Sequence, residues 1–221
     1  MTDQAAIEGV RADYDRGMML TVREMTRRAI EEIAAAIRPG MLEERAREIT
    51  REVLKGAGMT RGWHAPQVRF GRNTLKPFGA PSEPGVVLND NDIFFLDIGP
   101  VWRQIEGDAG ATFAVGDDPD MLRIVADVRR VFDDSRLAWL TRGLTGAQLY
   151  DFASQRARDL GWELNLDMNG HRLANFPHAA IHDGPLANTV FRPSAGLWVL
   201  EIQIRHPTRL ISAFYEDLLL D

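Results

Sequence analysis

Residues 94–98 read Phe-Phe-Leu-Asp-Ile, and a second aspartate, Asp108, follows after ten intervening residues, among Ala, Gly and Phe. An unpaired carboxylate in an apolar strand is expensive to bury, so any fold that takes up this run must supply a partner for Asp97. Segments 92–99 and 108–115 are apolar and aromatic and are bounded by turn residues, which predicts two strands. Paired as an antiparallel hairpin turning near Trp102-Arg103, they set Asp97 directly opposite Asp108. Side chains so opposed lie about 4.5–5.5 Å apart at Cβ. Two carboxylates there repel, and one is pushed toward its neutral form unless a cation sits between them. The alternative is that one of the two faces solvent.

The C-terminal region offers a second acidic pair. Glu201 follows Leu197-Trp198-Val199-Leu200, and Glu216 precedes Leu218-Leu219-Leu220. A hairpin turning near Thr208-Arg209 opposes these two as well. If the two strand pairs pack together, four carboxylates converge, and four buried anions in one pocket require metal. Oxygen ligands alone suit Mg, Ca or Mn, whereas an added imidazole shifts the preference toward Mn, Fe, Co or Zn. The chain has five histidines: His64, His171, His178, His182 and His206. Three of them lie in "NGHRLANFPHAAIHDGP", where Gly170, Pro177 and Gly184 argue against a helix. A lone histidine is ordinarily a surface or hydrogen-bonded residue, the reading kept for His182 and His206. His171 stands apart because the carboxylates need a neighbour of its kind.

The rest of the chain frames these strands. Residues 5–37 carry Ile7, Val10, Val22, Met25, Ile30, Ile33 and Ile37 near helical spacing. Gly17 is the place where that segment loosens or divides, and Pro39-Gly40 stops it. Residues 42–56 predict a second amphipathic helix. Residues 62–91 predict loop with a short strand at Val68–Phe70. Helices are expected from about Pro119 to Trp139 and from about Thr145 to Leu160, with Thr145 as N-cap and Gly161 past the end. Strands are expected over 162–168, 197–204 and 210–220. Two helices then strands fill 1–116, and the same order fills 117–221. The order predicts a single α+β domain of two similar halves, with joined sheets and helices on one side.

At 45% apolar and 26% charged residues, the composition is that of a soluble globular chain. No apolar run reaches the length of a membrane span, and the N-terminus lacks the pattern of a signal peptide. No cysteine is present, which excludes disulfides and thiolate metal sites and makes a cytoplasmic location the default. The net charge of −6, with no basic stripe, argues against nucleic acid as a partner. A homodimer is the default expectation for assembly.

Taken in order, Asp, ten residues, Asp, then His, then Glu, then Glu near the end resembles the ligand order of the pita-bread metallopeptidases. That family includes methionine aminopeptidase, aminopeptidase P, prolidase and creatinase. The likeness extends along the chain. "AAAIRPGMLEERAREI" is similar to the family's helix–Pro-Gly–helix opening, and "GRNTLKPFGAPS" to its Gly-x-Asn segment. "LDIGPVWRQIEGDAGATFAVG" resembles its Asp-x-Gly strand and return strand, "NGHRLANFPH" occupies the place of its His-Gly-Ile-Gly motif, and "SAFYEDLLL" resembles its closing Glu-Asp strand.

The resemblance implies a pita-bread fold: two pseudo-symmetric halves, a curved and mainly antiparallel sheet, and helices on its outer face. It implies two divalent ions, Mn, Co, Zn or Fe. Asp97 would bind one bidentately, Asp108 and Glu216 would bridge both, and His171 and Glu201 would complete the shell of the second ion. Water between the ions would become hydroxide near neutral pH and attack the scissile bond. Glu201 would also pass a proton, and His178 would hydrogen-bond the substrate carbonyl or its oxyanion.

Departures from the family pattern concern the substrate side. Phe78 in "KPFGAP" stands where the family's peptidases usually have histidine. His64 in "RGWHAP" either takes over that substrate contact from another loop or is a structural residue beside Trp63. Arg172, in His171-Arg172-Leu173-Ala174, sets a bulky cation where small residues usually admit substrate. Ala179 follows His178 in place of Glu, and Ile202 follows Glu201 in place of Pro. These features point to a hydrolase of a small peptide or amino-acid-derived substrate, of aminopeptidase or dipeptidase type. The alternatives are a creatinase-like hydrolase of a non-peptide C–N bond and a peptide-binding module without catalysis.

Overall fold

Asp15 opens the first long helix by accepting a hydrogen bond from the Met18 amide at 3.0 Å. In the computed structural model, which describes residues 4–177 and 184–221, a short helix α1 (Gln4–Ile7) precedes this one, α2 (Arg16–Ala36). The expected division of the N-terminal segment is therefore at residues 8–15, not at Gly17. Gly9 turns the chain with φ 64°, and the Asp15 cap restarts the helix with Gly17 inside its first turn. Met19, Val22, Ala29, Ile30 and Ile33 form the buried stripe of α2, spaced by three, four and seven residues.

Helix α3 (Glu43–Gly56) is followed by strands β1 (Arg61–Gly62), β2 (Gln67–Phe70), β3 (Asp92–Ile98), β4 (Pro100–Trp102), β5 (Ile105–Glu106) and β6 (Ala109–Val115). Helices α4 (Pro119–Arg142) and α5 (Gly146–Asp159) then lead to β7 (Glu163–Leu164), β8 (His171–Arg172), β9 (Trp198–Arg205) and β10 (Ser212–Leu218). Thr145 caps α5 through a capping box with Gln148. The strand expected over 162–168 shrinks to two residues. The Asn165 side chain accepts from the Asp167 amide at 3.2 Å and turns the chain out of the sheet.

The main sheet runs β2-β3-β6-β10-β9-β7, with β8 also on β9, and every ladder is antiparallel. The order is symmetric about the β6–β10 junction, where two hairpins, β3–β6 and β9–β10, meet edge to edge. Helices cover one face. Phe132 of α4 packs edge-on to Tyr215 of β10 at 4.8 Å, and Arg23 of α2 donates two hydrogen bonds to Asp217, each 2.6 Å. The main core, including Leu96, Ile98, Ile202, Ile204 and Val128, fills the space between. Side chains alternate along a strand. Phe95, Asp97, Glu201, Gln203, Phe214 and Glu216 therefore look to the opposite face, where Phe95, Phe214 and Met168 form a small second apolar cluster. A three-stranded sheet, β1-β4-β5, sits at the end of this face. Among the described residues no helix is long and apolar enough to cross a membrane.

Asp118 couples the two C-terminal layers. It caps α4 by accepting from the Asp120 and Met121 amides, and Arg209 in the β9–β10 turn donates to both its oxygens at 2.8 Å. Asp118→Ala should cost about 1–2 kcal/mol of unfolding free energy. The Arg209 contact holds the Asp118 carboxyl at about 2, down from 3.8. Its stabilisation is complete above about pH 4 and is lost as pH falls toward 2. Urea melts of both proteins across that range should show the difference closing.

Candidate metal centre

Three carboxylates stand in one row across four strands. Asp97 of β3 pairs with Gly110 of β6, Gly110 pairs with Glu216 of β10, and Glu216 pairs with Glu201 of β9. The opposition of Glu201 and Glu216 agrees with the reading from sequence, whereas that of Asp97 and Asp108 does not. Ile98 pairs with Ala109, and the Gly107 amide donates to the Pro100 carbonyl at 2.7 Å, so Asp108 falls opposite Gly99. The hairpin turns at Arg103-Gln104, both with positive φ (51° and 65°). That is one residue later than expected, which displaces the pairing by two.

Gly110 makes the row possible. A Cβ there would meet the Phe214 ring at 2.4 Å and Glu216 Oε1 at 3.0 Å. The missing side chain leaves space in which the flanking carboxylates converge.

Two histidines reach the row from different elements. The β8–β9 ladder pairs His171 with Val199. Its Nδ1 lies 2.9 Å from the Arg172 carbonyl oxygen and its Nε2 2.7 Å from Asp108 Oδ2. His64 is delivered by the small sheet: β1 pairs with β4, and the Trp63 amide donates to Gly99 O at 2.9 Å. The Trp63 ring stands edge-on to both imidazoles, 4.4 Å from His64 and 5.1 Å from His171.

Among the described residues, two groups of three donors have their ligand atoms within 4.8 Å of one another: His64, Asp97, Asp108 and Asp108, His171, Glu216. Asp108 belongs to both. Glu201 is in neither; its Oε2 accepts from the Gly170 amide at 2.7 Å. The outer edge of β9 is unpaired at Glu201, and the Tyr150 hydroxyl fills the gap, donating to the Glu201 carbonyl at 2.9 Å and accepting from its amide at 3.2 Å.

The electrostatics record the crowding. Burial raises Asp97 to about 7, with the charges of Asp108 and Glu201 adding to the rise and those of His64 and His171 opposing it. Burial, followed by Asp108, Asp97 and Glu201, lifts Glu216 well above the usual carboxylate range. Asp108 is also buried, but its hydrogen bond to His171, and then the nearby His64 ring, outweigh that and lower it. Burial disfavours the charged imidazoles, yet Asp97 and then Asp108 bring His64 to about 9, and Asp108 and then Glu201 bring His171 to about 10. Even so, among the described residues Asp108 Oδ1 and Glu216 Oε1 are buried without a hydrogen-bond partner. Orphaned acceptors of this kind need an explanation. Divalent ions, which suit carboxylate and imidazole donors, supply one.

The remaining sequence candidates fall differently. Arg172 does not face the row. Alternation along β8 turns it away from His171, and its guanidinium is buried on the backbone carbonyls of Glu8, Gly9, Leu173 and Leu197. It fastens the N-terminal segment. Phe78 is 50% exposed and packs edge-on to His64 at 5.5 Å, at the rim of the site. His178 lies outside the described residues. Sequence reasoning missed Tyr150, Gly99 and Gly110, whose roles exist only once the strands are in register.

The sequence model of metallopeptidase family M24 matches residues 17–217. This chain belongs to that family. No curated protein matches it. Among solved structures it is similar to the X-Pro aminopeptidase of Thermotoga maritima, at 18% identity and TM-score 0.74 over 97% of this chain and 62% of that one. Prolidase from Pyrococcus furiosus gives 17% and 0.74 over 91% and 59%. Methionine aminopeptidase from Thermotoga maritima gives 16% and 0.68 over 99% and 94%. These likenesses establish the pita-bread fold of the M24 family. The chain spans about three fifths of the length of the X-Pro aminopeptidase and the prolidase, 62% and 59%.

Tyr150→Phe removes the partner of both backbone groups of Glu201 at once. We expect a loss of about 1–3 kcal/mol in chemical unfolding, with faster amide exchange at Glu201 than at neighbouring β9 residues.

Proposed function

We propose that this M24 member is a dinuclear metal-dependent hydrolase that cleaves a peptide bond of a small peptide, in the manner of an aminopeptidase or dipeptidase. The observation that carries the reading is the acidic row of Asp97, Glu216 and Glu201 with Asp108 common to two donor groups. Asp97, Asp108 and Glu216 would hold one ion, and Asp108, His171, Glu201 and Glu216 the other, with Asp108 and Glu216 shared. Bound there, divalent ions such as Mn, Co, Zn or Fe neutralise the row and lower the pKa of a water toward neutrality.

The chain's own groups do the rest. The Arg172 carbonyl fixes the Nδ1 proton of His171, leaving Nε2 as the ligating nitrogen. Glu201, held at Oε2 by Gly170, takes the proton lost at attack and returns it to the leaving amine. His178 binds the substrate carbonyl and the charge that develops on it. The whole chain serves as one catalytic domain, its halves meeting at the β6–β10 junction. A second reading, hydrolysis of a non-peptide C–N bond, is favoured by Phe78 at the rim in place of the usual imidazole.

Protein purified without chelator should carry close to two divalent ions by elemental analysis and, with Mn or Co added, cleave members of a dipeptide panel. Asp108→Asn and Glu216→Gln should each remove metal and activity together. His178→Ala should lower turnover about a hundredfold or more with metal content unchanged. Wild-type protein that takes up no metal overturns the proposal. Metal-loaded protein that ignores dipeptides but hydrolyses N-substituted amino acids selects the second reading.

A further inference from the structure

We propose that His64 is a metal ligand, joining Asp97 and Asp108 so that each of the two ions receives one imidazole nitrogen. The inference rests on the metal-centre reading above and adds to it a sixth protein ligand, from a loop outside the five-residue set.

The geometry of the ring carries the argument. The His64 side chain is 7% exposed, and its Nδ1 sits 2.9 Å from the Ala65 carbonyl oxygen. A carbonyl only accepts, so Nδ1 carries the hydrogen, and Nε2 of the neutral ring is left with its lone pair. That atom is aimed at the carboxylates, 3.4 Å from Asp97 Oδ1 and 3.7 Å from Asp108 Oδ1. Charge-assisted hydrogen bonds are shorter, about 2.7–2.9 Å, as His171 and Asp108 show at 2.7 Å. Donors bound at about 2.1 Å around a tetrahedral ion lie about 3.4 Å apart. The two distances from His64 Nε2 are thus those of neighbouring ligands on a cation, and the three donor atoms lie within 4.8 Å of one another. Asp108 Oδ1, the oxygen on this side, is one of the buried acceptors without a partner among the described residues.

The surroundings hold the ring in place. A Cβ on Gly99 would lie 2.1 Å from His64 Cδ2 and 2.3 Å from Nε2, so the imidazole occupies the space a side chain would take. Trp63 at 4.4 Å and Phe78 at 5.5 Å flank it edge-on. Phe78 therefore packs against the ligand, which gives an apolar residue at that position a role. An imidazole on each ion moves the centre from the oxygen-rich shells that favour Mn toward mixed shells that favour Co and Zn.

The test is titration of apo protein with Co and, separately, Mn, read by calorimetry, elemental analysis and the visible absorption of bound Co. His64→Ala should weaken the affected Co site at least tenfold, weaken Mn less, and change the Co spectrum; added imidazole should restore that spectrum. Gly99→Ala, which displaces the ring while keeping His64, should reproduce the change, with near-UV circular dichroism reporting the fold. A His64→Ala protein with wild-type Co affinity and spectrum overturns the inference. So does lost binding that imidazole does not restore, because it assigns His64 to packing. If wild-type protein binds no Co or Mn, the metal-centre reading itself falls.

Discussion

The structure depends on four carboxylates brought together on one face of a sheet, with the His64 and His171 imidazoles set against them. Asp97, Glu216 and Glu201 stand in a single row, and Asp108 closes in from the neighbouring hairpin. Removing each charge from water costs several kcal/mol. The apolar core on the opposite face, between sheet and helices, meets that cost by fixing the strands that hold the charges. One side of the sheet supplies stability, and the other is an electrostatic liability that divalent ions would relieve.

The acidic row could be read from the sequence because each carboxylate interrupts an apolar run, and such a run has few inexpensive conformations other than a buried strand. Glu201 and Glu216 came out in register because the β9–β10 hairpin turns midway between its apolar runs, at Thr208-Arg209. The β3–β6 register was off by two because the residues with positive φ are Arg103 and Gln104. Neither is a residue type that announces a turn. Helix limits were mostly evident from caps such as Thr145. The break at residues 8–15 was not, because a helix-like apolar spacing runs across it.

The site's supporting residues were hidden for a different reason. Tyr150 lies on a helix and meets Glu201 only because β7 and β8 leave a gap in the edge of β9 between them. Gly99 and Gly110 matter through what they lack, and a lone glycine in a strand signals close approach without naming the neighbour. Residue type alone does not place Arg172, because strand parity decides: one step along β8 separates a side chain facing the row from one facing the N-terminal segment.

That same arginine has a practical consequence. Its guanidinium grips the carbonyls of Glu8 and Gly9, while the Glu8 carboxylate grips Ser194 and the Trp198 indole. Residues 8 and 9 are thus stitched to the peptide unit adjoining His171 and to the start of β9. Loosening Glu8 and Gly9 would therefore pull on the strand that carries His171, from the side turned away from the acidic face.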